Sequence, residues 1–295
     1  MQADLSLFRA VILLLAAGCS AVAFAAEKQR LILTGDLETG NFKQFDDREA
    51  AEHELQVVES PVRAGKYAAR IEVTHDEYNV GGGRFRAEVT QNGAGGANQE
   101  QERWFGFSIY LPNDWTTIEF PGEDILFQIH ERPDKGEDWR SPPLALRVAK
   151  EKMEWTIRWD SKPLSHRNKA EGTATVYSGP LVKGQWIDWV LHVRWSYRKD
   201  GLVEVWRDGN KVAAHEGPNC YNDQREMYLK IGNYHTGYPG KLWPEGLQQR
   251  VSYFDEVRMG GPKAKYIDVA PGERGDRNLR RSKPLTSKPL TSKPQ

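Results

Sequence analysis

Three stretches of this chain alternate apolar side chains with groups that can hold charge or move protons. In "DILFQIHE" (124–131), an extended backbone sends successive side chains to opposite faces. That predicts Ile125, Phe127 and Ile129 on one face, with Leu126, Gln128 and His130 on the other. In "RFRAEVTQ" (84–91), Phe85, Ala87 and Val89 oppose Arg84, Arg86, Glu88 and Thr90. In "YLKIGNYH" (228–235), Leu229 and Ile231 oppose Tyr228, Lys230, Gly232 and Tyr234. A solvated outer face explains any one such strand, as antiparallel sheets commonly have one. A generic wet face, however, favours Lys, Glu, Thr and Ser over Gln beside His, Arg beside Glu, or Lys and Tyr flanking a glycine. An imidazole titrates near neutrality, a guanidinium stays charged, and an amide supplies donors. Gly232 marks close approach of a ligand or of another backbone.

Elements must bring these groups together, and the rest of the chain reads as strands. "RWFGFSIYLP", "LALRVAK", "EWTIRWD", "QWIDWVLHVRW", "LVEVWRDGNKVA", "MYLKIGNYH" and "VSYFDEVRMG" alternate with the strand period, separated by Gly, Pro, Asn and Asp. Asp208-Gly209 between two such runs is a hairpin signal. No long amphipathic helix interrupts the pattern. The expected fold is all-β, a two-sheet jelly roll of the concanavalin-like sandwich type with a concave cleft. Most of the ten tryptophans then belong to the core, leaving one or two to stack on sugar rings. The Gly-rich run "NGAGGANQEQE" (92–102) suggests a flexible lip over the cleft.

The ends read differently. Arg9, the apolar run "AVILLLAAGCSAVAFA" and Ala23-Phe24-Ala25 form a secretory signal-peptide pattern over residues 1–25. This predicts a secreted or periplasmic protein. Cys19 offers a lipoprotein alternative, against which Ala16 stands where a larger aliphatic residue is usual. The predicted β domain then spans 26–270, and 271–295, with its Ser-Lys-Pro-Leu-Thr repeats, reads as a disordered basic tail. With Cys19 removed, only Cys220 remains, so no intrachain disulfide is expected and the thiol reads as buried. The 41 basic and 41 acidic residues balance, which gives no global field for nucleic acid or membranes. A polyanion must be met by a local patch.

Arg86-x-Glu88, Gln128-Ile129-His130 and "YLKIGNY" (228–234), in this order, resemble the active-site strands of jelly-roll polysaccharide lyases, including alginate lyases. "ERWFGFSIYLPNDW", "PPLALRV", "GQWIDWVLHVRWS", "GLVEVWRDG" and "YNDQREMYLKIGNY" are similar to the heparin lyase I and glucuronan lyase group. The likeness covers roughly residues 80–260. It implies β-elimination on an acidic polysaccharide such as glucuronan, alginate or a glycosaminoglycan-like uronan. A base removes the proton on C5, and the C4–O4 bond breaks to leave an unsaturated sugar. The carbanion would carry a second negative charge beside the carboxylate, so donors must stabilise it; losing one such donor typically costs ~3–4 kcal/mol.

By resemblance, the catalytic group is His130, Tyr234, Gln128 and Arg86, with Lys230, Glu88, Arg84 and Tyr228 binding substrate. Gln128 and Arg86 would hold the carboxylate, Glu88 would orient the arginine, and His130 is a candidate base. Tyr234 is the expected acid, or the base if a cation such as Lys230 eases loss of a phenolic proton that ordinarily leaves near pH ~10. Where H5 and O4 share a face, as in glucuronate, one Tyr can serve both steps; where they oppose, His130 and Tyr234 divide them.

A non-catalytic carbohydrate-binding module of the same fold is the alternative, because a fold does not fix a function. A glycoside hydrolase would need two flanking carboxylates, which no single strand supplies. His53, His75, His166, His192 and His215 read as surface or structural groups, and Arg147 as either a cleft or an edge residue. Asn222-Asp223 fits turn chemistry. No residue spacing indicates a transition-metal site. No cofactor is required by this chemistry, a structural calcium ion is compatible with such sandwiches but not located by the sequence, and a monomer is expected.

Overall fold

The computed structural model describes residues 30–74, 85–116, 122–236 and 247–272. The expected leader, the basic tail from residue 273 onward, His75 and Arg84 lie outside these residues. Two antiparallel sheets face each other. The first contains β1 (Leu31–Gly35), β3 (Leu55–Val58), β4 (Ala68–Thr74), β6 (Glu102–Tyr110), β11 (Trp186–Arg194), β12 (Leu202–Arg207), β13 (Asn210–Glu216) and β15 (Gln249–Gly260). Their order is β13-β12-β11-β6-β15-β4-β3, with β1 added beside β15. The second contains β2 (Asp47–Glu49), β5 (Phe85–Gly95), β7 (Asp124–His130), β8 (Leu144–Ala149), β9 (Lys152–Trp159), β10 (Gly172–Pro180) and β14 (Met227–His235). Its order is β10-β9-β8-β7-β14-β5-β2. A single-turn helix, α1 (Tyr266–Val269), follows β15. The architecture is the jelly roll that the strand pattern predicts.

The core lies between the sheets and is aromatic at its centre. Phe107 of β6 stacks on Phe127 of β7 at 4.8 Å, and Trp155 of β9 meets Phe127 edge-on at 5.3 Å. Trp155 also meets Trp189 of β11 edge-on at 5.7 Å. Each such side chain contributes about 1.5–3 kcal/mol by burial, and each ring pair adds about 0.5–1.5 kcal/mol. Trp155, Trp189 and Trp195 are fully buried, as the core reading of tryptophan requires, and Cys220 is buried with them. Asp208 and Gly209 join β12 to β13 with both φ positive, at 49° and 81°. Only the mirror-image hairpin turn demands that pair.

Strands β1 to β4 and β10 lie outside the segments singled out by sequence alternation. They are short or rich in small and polar residues, and pairing to longer neighbours defines them. The Gly-rich run is also not the free lip expected. Residues up to Gly95 complete β5, and the Trp195 indole donates to the Ala94 carbonyl at 2.8 Å. Asn98 then donates to the Asp223 carbonyl at 2.9 Å and Gln101 to the Ala97 carbonyl at 2.9 Å. The glycines allow a packed turn: a Cβ on Gly95 would lie 2.4 Å from the Glu100 carbonyl oxygen. Among the described residues, no helix is long and apolar enough to cross a membrane.

Candidate active site

Strand register builds the site. Across the second sheet, β14 pairs with β5 on one side and β7 on the other. Tyr228 lies between Asn92 and His130, Lys230 between Thr90 and Gln128, and Tyr234 between Arg86 and Ile125. Six of the side chains at these positions, those of Tyr228, His130, Gln128, Tyr234, Arg86 and Ile125, line one cavity of about 500 Å³. Its walls also include Glu49. Arg147 and Glu123, ion-paired to each other, close another part of the wall.

The face assignment holds for β5, where Phe85, Ala87 and Val89 enter the core. It fails in the first half of β7. The register slips by one residue between Ile125 and Phe127 against β8, a β-bulge. The slip turns Leu126 into the core and places Ile125 on the cavity wall, while Gln128 and His130 keep the cleft face. Gly232 resolves in favour of a backbone neighbour. Its φ is +147°, and a Cβ there would lie 2.1 Å from the Ala87 carbonyl oxygen of β5.

Glu88 is buried at the floor, where it binds more than the arginine it was expected to orient. The Gln128 amide donates to Glu88 Oε1 at 2.5 Å. Lys230 Nζ lies 2.9 Å from Glu88 Oε2, whereas Arg86 Nε is 3.7 Å from that oxygen. The closer partner of Arg86 is Glu49 Oε2 of β2, at 2.9 Å from Nη1. Glu49 stands directly opposite Glu88 in the β2–β5 register. Like charges so placed repel, and Lys230 relieves this by reaching Glu49 Oε1 at 2.9 Å as well.

Lys230 is therefore placed differently from a substrate ligand: its ammonium is held between Glu88 and Glu49 and, unlike the equally buried Gln128, it does not line the cavity. Burial opposes its charge, but Glu88 and Glu49 outweigh this and hold its pKa above the ordinary value. The sequence missed Glu49 because a three-residue strand carries no alternation to read.

The Gln128 orientation follows from Glu88. Flipping the amide would set carbonyl against carboxylate, so Nε2 faces Glu88. Among the described residues Oε1 has no partner, and one amide N–H is left beyond the bond to Glu88.

His130 Nδ1 lies 3.0 Å from the Glu131 carbonyl oxygen. A carbonyl only accepts, so Nδ1 carries the proton and Nε2 keeps its lone pair. Burial, with Lys230 and Arg86 nearby, lowers the His130 pKa to about 4, against the counter-effect of the Glu131 carbonyl. The imidazole is therefore neutral at neutral pH. Its ring meets Tyr228 at 5.7 Å and the edge of Trp139 at 5.6 Å. Trp139 is 63% exposed and lines the cavity, a platform suited to a sugar ring that lay unmarked in a Gly-containing loop. The Arg86 guanidinium lies 5.2 Å from the centre of the Tyr234 ring.

Beyond the cleft, Asp134, Glu137 and Asp223 bring carboxylate oxygens within 4.8 Å of one another. Arg140 already binds this group, with Nη2 2.6 Å from Asp223 and Nη1 3.2 Å from Glu137. Glu137 also accepts from the backbone N–H groups of Ser165 and Asp134. The arginine supplies the positive charge a calcium ion would bring, so these residues do not fit a cation site.

Residues 37–258 match the polysaccharide lyase family, and the chain belongs to it. It is a polysaccharide lyase. Among solved structures, the endo-β-1,4-glucuronan lyase of the fungus Trichoderma reesei is similar at 21% identity and a TM-score of 0.66, over 82% of this chain and 98% of that one. The catalytic domain of a glycoside hydrolase family 131 protein from Coprinopsis cinerea gives 12% identity and a TM-score of 0.51, over 83% and 99%. A family 7 alginate lyase, A1-II', gives 10% identity and a TM-score of 0.48, over 73% and 84%. No curated protein sequence matches the chain.

Proposed function

We propose that this lyase cleaves a uronic-acid polymer by β-elimination, with β-1,4-glucuronan as the first substrate to test. The observation that carries this reading is the convergence of His130, Tyr234, Gln128 and Arg86 on one sugar-sized cavity. Gln128 donates its remaining amide N–H to the uronate carboxylate, and Arg86 adds charge as the carbanion develops. On a glucuronate unit, H5 and O4 share a face. Tyr234, beside Arg86, takes the first proton and returns one to O4, while neutral His130 holds a sugar hydroxyl through its Nε2 lone pair. On a unit whose H5 and O4 oppose, that lone pair is the base and Tyr234 the acid.

The cleft carboxylates support elimination over hydrolysis. Glu49 is held by Arg86 and Lys230, and Glu123 by Arg147. A hydrolase needs one acid kept protonated and another free to attack or to activate water. Neither ion-paired group suits that work.

The leader pattern at residues 1–25 supports export, which suits a polymer too large to enter a cell. Incubating the purified protein with glucuronan, polymannuronate, polyguluronate and heparin-like chains tests the substrate. Ultraviolet absorbance from a new C4–C5 double bond on glucuronan is expected. New reducing ends without that absorbance would overturn elimination.

A further inference from the structure

The cations lining the main cavity or lying beneath it are paired with carboxylates. Arg86 and Lys230 share Glu49, Arg147 has Glu123, and Arg140 has Asp223 and Glu137. A second hollow of about 500 Å³ adjoins that cavity, sharing Glu49, Trp139 and Tyr228 with it. Two guanidinium groups line it, Arg132 and Arg225, and neither meets a carboxylate among the described residues. Arg132 donates to the Glu226 carbonyl at 2.8 Å and to the Asn92 side-chain oxygen. Arg225 donates to the Pro133 carbonyl at 3.1 Å. All of these acceptors are neutral.

Arg132 is held in place as well as uncompensated. Its guanidinium lies 4.3 Å from the centre of the Tyr228 ring, and that ring in turn meets His130 at 5.7 Å. Two of its five N–H donors are spent on protein, so three remain. A planar fork with its face covered by an aromatic ring presents its edge to a carboxylate.

Of the acids lining the hollow, Glu49 is ion-paired, while Asp46 and Asp47 accept from neutral N–H groups and keep their charge. Asp46 accepts from Asn92 N–H at 2.8 Å and from the Gln91 amide at 2.9 Å. Glu49 holds Arg86 and Lys230. Asp47 is exposed and accepts from Arg48 N–H at 2.8 Å.

We infer that Arg132 and Arg225 form a second carboxylate subsite, which binds another uronate of the polymer while the cavity beside His130 holds the unit being cleaved. Trp139, shared by both hollows, is the wall along which the chain passes from one to the other. The preferred substrate is thus a run of uronates, acidic along its length, and a polymer with isolated uronates loses this contact. The inference rests on the uronan reading above and narrows it.

Binding tests this without relying on turnover. Calorimetry of β-1,4-linked tetraglucuronate with the Tyr234→Phe protein, which lacks the group that moves protons on a glucuronate unit, gives the reference affinity and its salt dependence. Adding Arg132→Gln and Arg225→Gln together should weaken binding about tenfold and flatten the salt dependence. Arg225→Gln alone, which disturbs one exposed contact, should give a partial loss. Arg132→Lys, which keeps the charge, should retain more affinity than Arg132→Gln. Melting curves matching the reference show that the fold survives. No binding of the tetrasaccharide, or affinity and salt dependence unchanged by the paired substitutions, overturns the subsite. A wild-type protein that forms no unsaturated product, yet binds tetraglucuronate through these arginines, would sink elimination and leave the subsite standing.

Discussion

His130 keeps Nδ1 within 3.0 Å of the carbonyl oxygen of the next residue, Glu131. That contact decides the tautomer, and the tautomer decides what the cleft receives: a lone pair on Nε2 rather than an N–H. The sequence places His130 on a polar strand face, but the carbonyl that fixes its proton belongs to Glu131, the first residue past the end of β7.

The pH profile should carry this signature. With the His130 pKa lowered to about 4, chiefly by burial, the lone pair is available above that pH and lost below it. The acid limb of kcat/KM, which reports the free enzyme, should fall near pH 4 on a uronan substrate. A limb at the ordinary imidazole value of about 6.5 would show that His130 titrates as an exposed group.

Lys230 separates a structural role from a binding role. Its ammonium sits between Glu49 and Glu88, which face each other across β2 and β5. Lys230→Met leaves two opposed carboxylates without their shared cation and should destabilise the fold by about 3–5 kcal/mol, read by chemical denaturation. Unchanged stability with a raised KM would instead make it a substrate ligand.

Gly232→Ala tests the close approach of two strands. The new Cβ would meet the Ala87 carbonyl at 2.1 Å, on a backbone with φ of +147°. A loss of at least ~1–3 kcal/mol is expected from the backbone strain, measured by thermal or chemical unfolding. A neutral effect would show that β5 and β14 separate easily there.

Glu131 gives a stability test with a defined sign. Burial raises its pKa from 4.5 to about 7, against the N–H and charge of Arg140. The folded chain therefore holds this proton more tightly than the unfolded chain. Its contribution is fully present below about pH 4.5 and is lost as pH rises through about 7. Asp223, raised to about 6, and Asp255, raised to about 7, act in the same direction, also through burial. Glu131→Gln, which mimics the protonated acid, should lose less stability than wild type between pH 4.5 and 7. An identical decline in both proteins would mean Glu131 is ionised throughout.

What the sequence made legible follows from period and residue type. Alternation in β5 puts Phe85, Ala87 and Val89 inward and leaves Arg86 and Glu88 on the cleft face. The bulge between Ile125 and Phe127 is invisible to alternation, because an inserted residue changes the face without changing composition. Glu49 and Trp139 were illegible for a different reason. One sits on a three-residue strand and the other in a loop, so only tertiary contact brings them to the site. Arg132 lies two residues past His130, beyond the end of β7, where strand period no longer says which way a side chain points.

The most direct test uses Tyr234→Phe and His130→Ala beside wild type, each shown by circular dichroism to be folded. Ultraviolet absorbance is then followed on glucuronan, or on whichever uronan the wild type cleaves best. The account predicts an absorbing unsaturated product from wild type and a loss of at least ~100-fold with Tyr234→Phe, the usual scale for removing a general acid or base. His130→Ala should reduce the rate too, most of all on units whose H5 and O4 oppose. A folded Tyr234→Phe protein that makes unsaturated product at the wild-type rate would contradict it.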